Sequence, residues 1–425
     1  MRKQTIGCAI LLLSMANYQL SIAQDSLDIK IGQMILIGFP KAEVDPIVLD
    51  EVKAGKVGTL ILFEKNIPKS TASFAALKKI IWTYQKAAPI PLFVAIDQEG
   101  GKVNRLKDKY GFPRSITAQE MGCSLDSTKF YAESIASNLA GLGINVNFAP
   151  CVDLGVNKNN TVIYSVGRSF SANGDSVAML AEEYIKPHRK FGVITVLKHF
   201  PGHGSSLADT HFGVADVTKT WTPQELIPYQ RLQEKGMIDA IMSAHIVNTR
   251  LDQRGYPGTL SSRVLDSLLR KNMNYNGVLF SDDMQMQAIA KEYGLEETIK
   301  LAINASIDIL CFSNNIMGSE TRTVDKVHQI IRKFVESGTI KSERIDQSFE
   351  RIMRLKARLN NGSEAYYRSE LSKAELKVTQ YERIAELNAQ HAREAEKEAR
   401  ERYEKGKQKL EEKRVTKKKR KKETE

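Results

Sequence analysis

The chain has 425 residues, of which 42% are hydrophobic and 26% charged, an ordinary balance for a globular protein with room for one large domain or two to three average ones. Its formal charge of +12 is concentrated at the two ends, in Arg2 and Lys3 and in residues 362–425, so the interior is only mildly basic and no nucleic-acid partner is expected. Four cysteines are too few for a disulfide framework, and nothing after the first segment is apolar for long enough to cross a bilayer.

Arg2 and Lys3 precede an apolar stretch from Ile6 to Ala16, and Ser21-Ile22-Ala23 supplies small residues. This order predicts a secretory signal peptide over residues 1–23 and an exported protein, periplasmic or extracellular in a bacterial setting. Cys8 would leave with that segment. Cys123, Cys151 and Cys311 have no metal-ligand spacing and read as packing residues.

From Ile31 onward, apolar runs recur at 33–39, 59–63, 92–96, 145–149, 193–197, 239–244, 277–280 and 307–312. They are rich in Val, Ile, Leu and Phe without strict alternation, as strands covered on both faces should be. Amphipathic helices are predicted between them at 71–85, 127–140, 175–190, 223–235, 261–271 and 296–304, with Asp175 and Ser261 as N-caps and Pro223 in a first turn. Eight strands alternating with helices predict a (β/α)8 TIM barrel over residues 25–361, ahead of the rival open doubly wound sheet. The barrel is preferred because Asp97, Asn147, Asp153, Lys198, His199, His245, Asp282 and Asp283 all fall at strand ends, where a closed barrel collects them on one rim. A last helix is expected at 342–359. Residues 362–425 then turn to Ala, Glu, Lys, Arg and Gln and finish in a basic run, the composition of a solvated charged helix with a disordered end. Such a tail is expected to offer at most a weak contact to an anionic envelope surface.

The densest chemistry is the stretch Lys198-His199-Phe200-Pro201-Gly202-His203-Gly204, followed by Asp209-Thr210-His211. It comes straight after the apolar run 193–197 and carries Pro and Gly breakers, so one lysine, three histidines and an aspartate gather where a strand opens into a loop. Asp282, beyond the run Gly277-Val278-Leu279-Phe280, could serve as a nucleophile, an electrostatic anchor or a metal ligand. Asp209 is close enough in sequence to orient His211, and an imidazole can move protons both ways near neutrality. A carboxylate nucleophile with a separate acid/base is the minimal set for retaining glycosidic cleavage and requires no metal or organic cofactor.

Residues 198–204 with Asp209-Thr210-His211 resemble a signature of glycoside hydrolase family 3 β-N-acetylglucosaminidases. Asp97-Gln98-Glu99-Gly100-Gly101, Asn147-Phe148-Ala149-Pro150 with Asp153, Gly167-Arg168-Ser169-Phe170 and Ser281-Asp282-Asp283-Met284 are similar to the family's other blocks, in order, across residues 28–357. The resemblance implies Asp282 as nucleophile and His211 as acid/base partnered by Asp209. It implies Asp97, Arg105, Arg168, Lys198 and His199 as the grip on the hydroxyls of a terminal N-acetylglucosamine. The substrate so implied is a glycan ending in that sugar, such as a peptidoglycan fragment. Gly167 departs from the pattern, since relatives commonly carry an acid there.

Structural roles are expected for Asp283, bonding amides at a helix start, for His203, shaping its loop, and for Glu99, in a buried ion pair. Asn147, Asp153 and His245 are expected to hold rim loops. Three other functions remain conceivable from sequence: phosphorolysis with phosphate as acceptor, a metal-dependent hydrolase using His199, His203, Asp209, His211 and His245, and a non-catalytic envelope-binding protein. The metal reading is weakened because no His-x-His ends the first strand, which closes with Gly38-Phe39-Pro40.

Overall fold

In the computed structural model the described residues are 26–359 except 71, 208–212, 214 and 316–322. The expected signal peptide, Asp209, His211 and the charged tail therefore lie outside the described residues. The chain divides into two units after Asn361, and every described residue belongs to the first.

The apolar runs form β1 (Ile35–Gly38), β2 (Thr59–Leu62), β3 (Phe93–Ile96), β4 (Val146–Asn147), β5 (Ile194–Phe200), β6 (Ala240–Ser243), β7 (Val278–Asp283) and β8 (Ile309–Phe312). Each pairs in parallel with its sequence neighbours, and β8 closes on β1 with Ile35 opposite Leu310 and Ile37 opposite Phe312. Helices such as Ser73–Ala87, Leu125–Leu142 and Gly174–Lys190 connect successive strands. This is the closed (β/α)8 barrel, not the open sheet. Its interior is packed by aromatic rings: Phe280 meets Phe148 edge-on at 5.3 Å between centroids and tilts against Phe93 at 6.5 Å. Each fully buried ring contributes about 1.5–3 kcal/mol through removal of apolar surface from water.

The N-terminal face of the barrel is closed by charge. Asp308, just before β8, accepts from Arg270 at 2.7 Å, Arg344 at 3.1 Å and Arg351 at 3.2 Å. Lys356, buried in the helix Ser342–Lys356, donates to Gln33 Oε1 at 2.6 Å and to the Gly58 carbonyl at 2.9 Å, with its amine 4.9 Å from the Phe93 ring centroid. These contacts tie the last helix under β1 and β2 and leave the opposite rim for chemistry.

Local boundaries differ from the sequence reading in instructive places. β5 runs on through Lys198, His199 and Phe200, because Phe200 still pairs with Ser243 after a register shift beyond Leu197. Asn173, not Asp175, caps Gly174–Lys190 by accepting from the Ser176 amide, and Asp175 instead binds Arg231. Ser261 does accept the Val264 amide, as a cap should. The helices Pro46–Lys53 and Val324–Glu336 were not anticipated. Cys151 and Cys311 are buried as expected, whereas Cys123 is exposed, with its Sγ 3.8 Å from the Gln119 carbonyl.

Candidate active site

The C-terminal rim is organised by Lys198, which is only 2% exposed. Its Nζ donates to Asp97 Oδ1 at 2.7 Å and lies 2.7 Å from Glu99 Oε1, joining β5 to the loop after β3. Arg105 adds a longer contact to Asp97 Oδ2 at 3.4 Å. Arg168 clamps Glu99 with two bonds, Nε to Oε2 at 2.8 Å and Nη2 to Oε1 at 2.7 Å. Burial opposes the ionised form of both carboxylates, but the neighbouring cations outweigh it. Lys198 and Arg105 hold Asp97 below the usual carboxylate range, and Arg168 and Lys198 bring Glu99 down to about 2. Burial likewise works against the Lys198 ammonium, and Asp97 and Glu99 reverse it and raise its pKa. The rim therefore holds fixed, alternating charges, with Lys198 buried and Asp97, Arg105 and Arg168 partly exposed.

A second network fixes the histidines. His199 Nδ1 lies 2.6 Å from Asp153 Oδ2, and Arg168 Nη2 is 3.3 Å from His199 Nε2. The other Asp153 oxygen accepts the His203 amide at 2.7 Å. Burial raises the cost of the Asp153 charge, yet His199 and His203 hold its pKa far below normal. Cys151, Asp153 and His199 are the one group among the described residues with ligand atoms close enough to share a metal ion. Their geometry serves protein bonding instead: Cys151 Sγ donates to the Asp153 oxygen that already faces His199 Nδ1, and burial pushes the Cys151 thiol well up. His245, named in the metal reading, is engaged elsewhere, with Thr259 Oγ1 at 2.8 Å and the Asp283 carbonyl at 2.9 Å.

Asp282 and Asp283 end β7 with opposite surroundings. Asp283 accepts from the Gln285 amide at 3.1 Å, the Ser313 amide at 3.3 Å and the Ser313 hydroxyl. Burial lifts its carboxyl to about 6, so it is a bracing group between β7 and the loop after β8. Asp282 is half-buried and accepts the Asp283 amide at 2.8 Å. Burial first, and then the charges of Asp283, Asp282 and Asp97, drive up the pKa of the Cys311 thiol on β8. Asp282 near the end of β7 and Lys198 near the end of β5 both stand at the C-terminal rim of the barrel.

The expected hydroxyl grip divides into two kinds. Asp97, Arg105 and Lys198 form one cluster. Arg168 and His199 adjoin it, but their polar atoms already bond Glu99, the Val162 carbonyl and Asp153. Asn147 holds the loop after β3, accepting the Gln98 amide at 3.1 Å and donating to the Gln98 carbonyl at 3.2 Å. Gly167 takes a left-handed φ of 69°, and a Cβ there would sit 3.0 Å from the Thr117 Cβ, so an acid at this position would be strained.

Two residues were given no role from the sequence. Gln98 accepts the Arg105 and Leu106 amides and so shapes the loop that carries Arg105. Glu225 lies buried beneath the loop after β5 and accepts the Gly204 amide at 2.8 Å. An acidic residue in a first helical turn reads as a partner of the helix dipole, and nothing local announces its burial.

Residues 26–355 match the model of the glycosyl hydrolase family 3 N-terminal domain. A β-hexosaminidase of Tolumonas auensis is 32% identical over 67% of this chain and 84% of its own length. Beta-hexosaminidase A of Pseudoalteromonas piscicida is 31% identical over 72% of this chain, which spans only about half (54%) of that longer relative. Among solved structures, a family 3 β-N-acetylglucosaminidase from Paenibacillus sp. str. FPU-7 superposes with a TM-score of 0.72 at 32% identity, over 80% of this chain and 64% of that one. The chain belongs to glycosyl hydrolase family 3.

Proposed function

We propose that the protein is an exo-acting, retaining β-N-acetylglucosaminidase. The observation that carries this reading is the half-buried Asp282 carboxylate at the end of β7, on the same C-terminal rim as the preformed Asp97–Lys198–Arg105 cluster. The relatives' printed activities support the choice of sugar. In the first step Asp282 attacks the anomeric carbon while protonated His211 gives its proton to the departing glycosidic oxygen. In the second, neutral His211 takes a proton from water, and that water displaces Asp282. Asp209 would hold and charge-stabilise the imidazole. Lys198, Arg105 and Asp97 would orient the sugar hydroxyls, and Asp153 keeps His199 in place behind them.

The terminal N-acetylglucosamine of peptidoglycan fragments is the proposed natural target, and Arg2, Lys3 and the apolar segment after them support action outside the cytoplasm. Digestion of purified muropeptides with mass analysis of the products tests both substrate and chemistry. Release of free N-acetylglucosamine, unchanged by added phosphate, is expected. Formation of the sugar 1-phosphate would replace hydrolysis with phosphorolysis, and failure to release any sugar would remove the proposed target.

A further inference from the structure

The segment 201–207 leaves β5 and leads, two residues later, to Asp209 and onward to His211. Its support is unusual. Glu225, in the short helix Pro223–Leu226, is 2% exposed, and its Oε2 accepts the Gly204 amide at 2.8 Å. Gly202 runs so close above it, with φ 120°, that a Cβ at 202 would lie 2.5 Å from the Glu225 Cβ. On the other side, a Cβ on Gly204 would meet the Leu154 carbonyl oxygen at 2.1 Å. Trp221 Nε1 pins the start of the segment by donating to the Pro201 carbonyl at 3.1 Å. The backbone is thus gripped between Glu225 and the loop after β4.

A carboxylate is an expensive choice for this floor. No cation pairs with the buried Glu225 side chain among the described residues, and only the Gly204 amide and Ser205 offset the cost of its charge. The charged or titratable groups facing it are Asp153, which disfavours its ionisation, and Tyr229. An apolar side chain would fill the space without that cost, but it could not accept the Gly204 amide. The retained function of the carboxyl is therefore that acceptor.

We propose that Glu225 is a positioning residue for proton transfer: by holding the 202–205 backbone it sets the stem from which the chain reaches Asp209 and His211. The proposal rests on the acid/base reading of His211. Glu225 touches no substrate, so its effect appears only in the step that needs a proton.

The test compares kcat/KM, which reports the first chemical step, on two N-acetylglucosaminides with the full-length chain. One carries an unactivated alkyl leaving group, and the other a 2,4-dinitrophenyl group that departs without protonation. Glu225→Ala is expected to lose about 30-fold on the alkyl substrate and less than about threefold on the dinitrophenyl one, a fraction of what general acid catalysis supplies. Glu225→Gln keeps an oxygen acceptor for the Gly204 amide and is expected to restore most of the loss. If Glu225→Ala does not fold, Glu225→Asp, which withdraws the oxygens by one methylene, should show the same leaving-group selectivity. Equal losses on both substrates, no loss on either, or no rescue by Gln overturns the proposal. His211→Ala measured alongside separates the two ideas. A leaving-group-dependent loss there without one at Glu225 overturns the positioning role alone, and no such dependence at His211 overturns the acid/base reading and the proposal together.

Discussion

Lys198 on β5 and Asp97 after β3 meet at 2.7 Å across the rim, with the lysine almost wholly withdrawn from water. That ammonium also lies 2.7 Å from Glu99, so one buried cation serves two carboxylates from the same loop. Replacing Lys198 by Met leaves Asp97 dependent on the distant Arg105 contact. Removing one member of a buried charge network typically costs about 3 kcal/mol or more. Lys198→Met is therefore expected to melt several degrees lower by calorimetry and to lose roughly 100-fold in kcat/KM. An unchanged kcat/KM would remove Lys198 from the sugar-binding cluster.

The stability of the barrel should depend on pH through Glu225. Burial, assisted by Asp153, raises its carboxyl from 4.5 to about 7, so the folded state keeps a proton that the unfolded chain releases. Its contribution is complete below pH 4.5 and is lost as pH rises to about 7. Glu225→Gln stays neutral throughout. Relative to wild type it should gain about 3 kcal/mol between pH 4.5 and pH 8, read from denaturant titrations at the two values. A constant difference across that range would mean that the carboxyl ionises normally.

Lys356 works in the opposite direction. Burial lowers its amine from 10.5 to about 7, so the folded protein sheds a proton that the unfolded chain still holds. Stability from this site rises with pH between about 7 and 10.5. Lys356→Met should flatten that rise while leaving the Gln33 and Gly58 acceptors without their donor. Melting temperatures at pH 7 and 9.5 check this, and an undiminished rise in the variant would assign it to another group.

Asp209→Asn tests the dyad. Loss of the carboxylate should lower kcat/KM by about 10²-fold for unactivated substrates, within the range that general acid catalysis contributes. Dinitrophenyl substrates should be far less affected. A uniform loss on both would make Asp209 a structural residue.

The barrel was legible because strands buried on both faces leave apolar runs, and eight such runs with polar residues at their ends have few other arrangements. The end of β5 was harder to read. Lys198 and His199 look like loop residues, yet Lys198 pairs with Asp97 and Glu99, His199 bonds Asp153, and both remain inside a strand. The cap at Asn173 was missed because Asp175, two residues later, offers the same chemistry to a reader who cannot see Arg231 beside it. Glu99 was expected in a buried ion pair and has one. Glu225 was invisible for a different reason: its environment is assembled from Gly202, Gly204 and Asp153, which only the closed barrel brings above it.

The account turns on Asp282 as the atom that bonds to sugar. Incubation with a 5-fluoro N-acetylglucosaminyl fluoride, which slows the second step, followed by intact-mass measurement and peptide mapping, addresses this directly. The expected result is one sugar per chain, on the peptide containing Asp282, and no adduct in Asp282→Asn, whose turnover should fall on the order of 10⁴-fold. An adduct on any other residue, or a first-formed product of inverted configuration with no adduct at all, contradicts it.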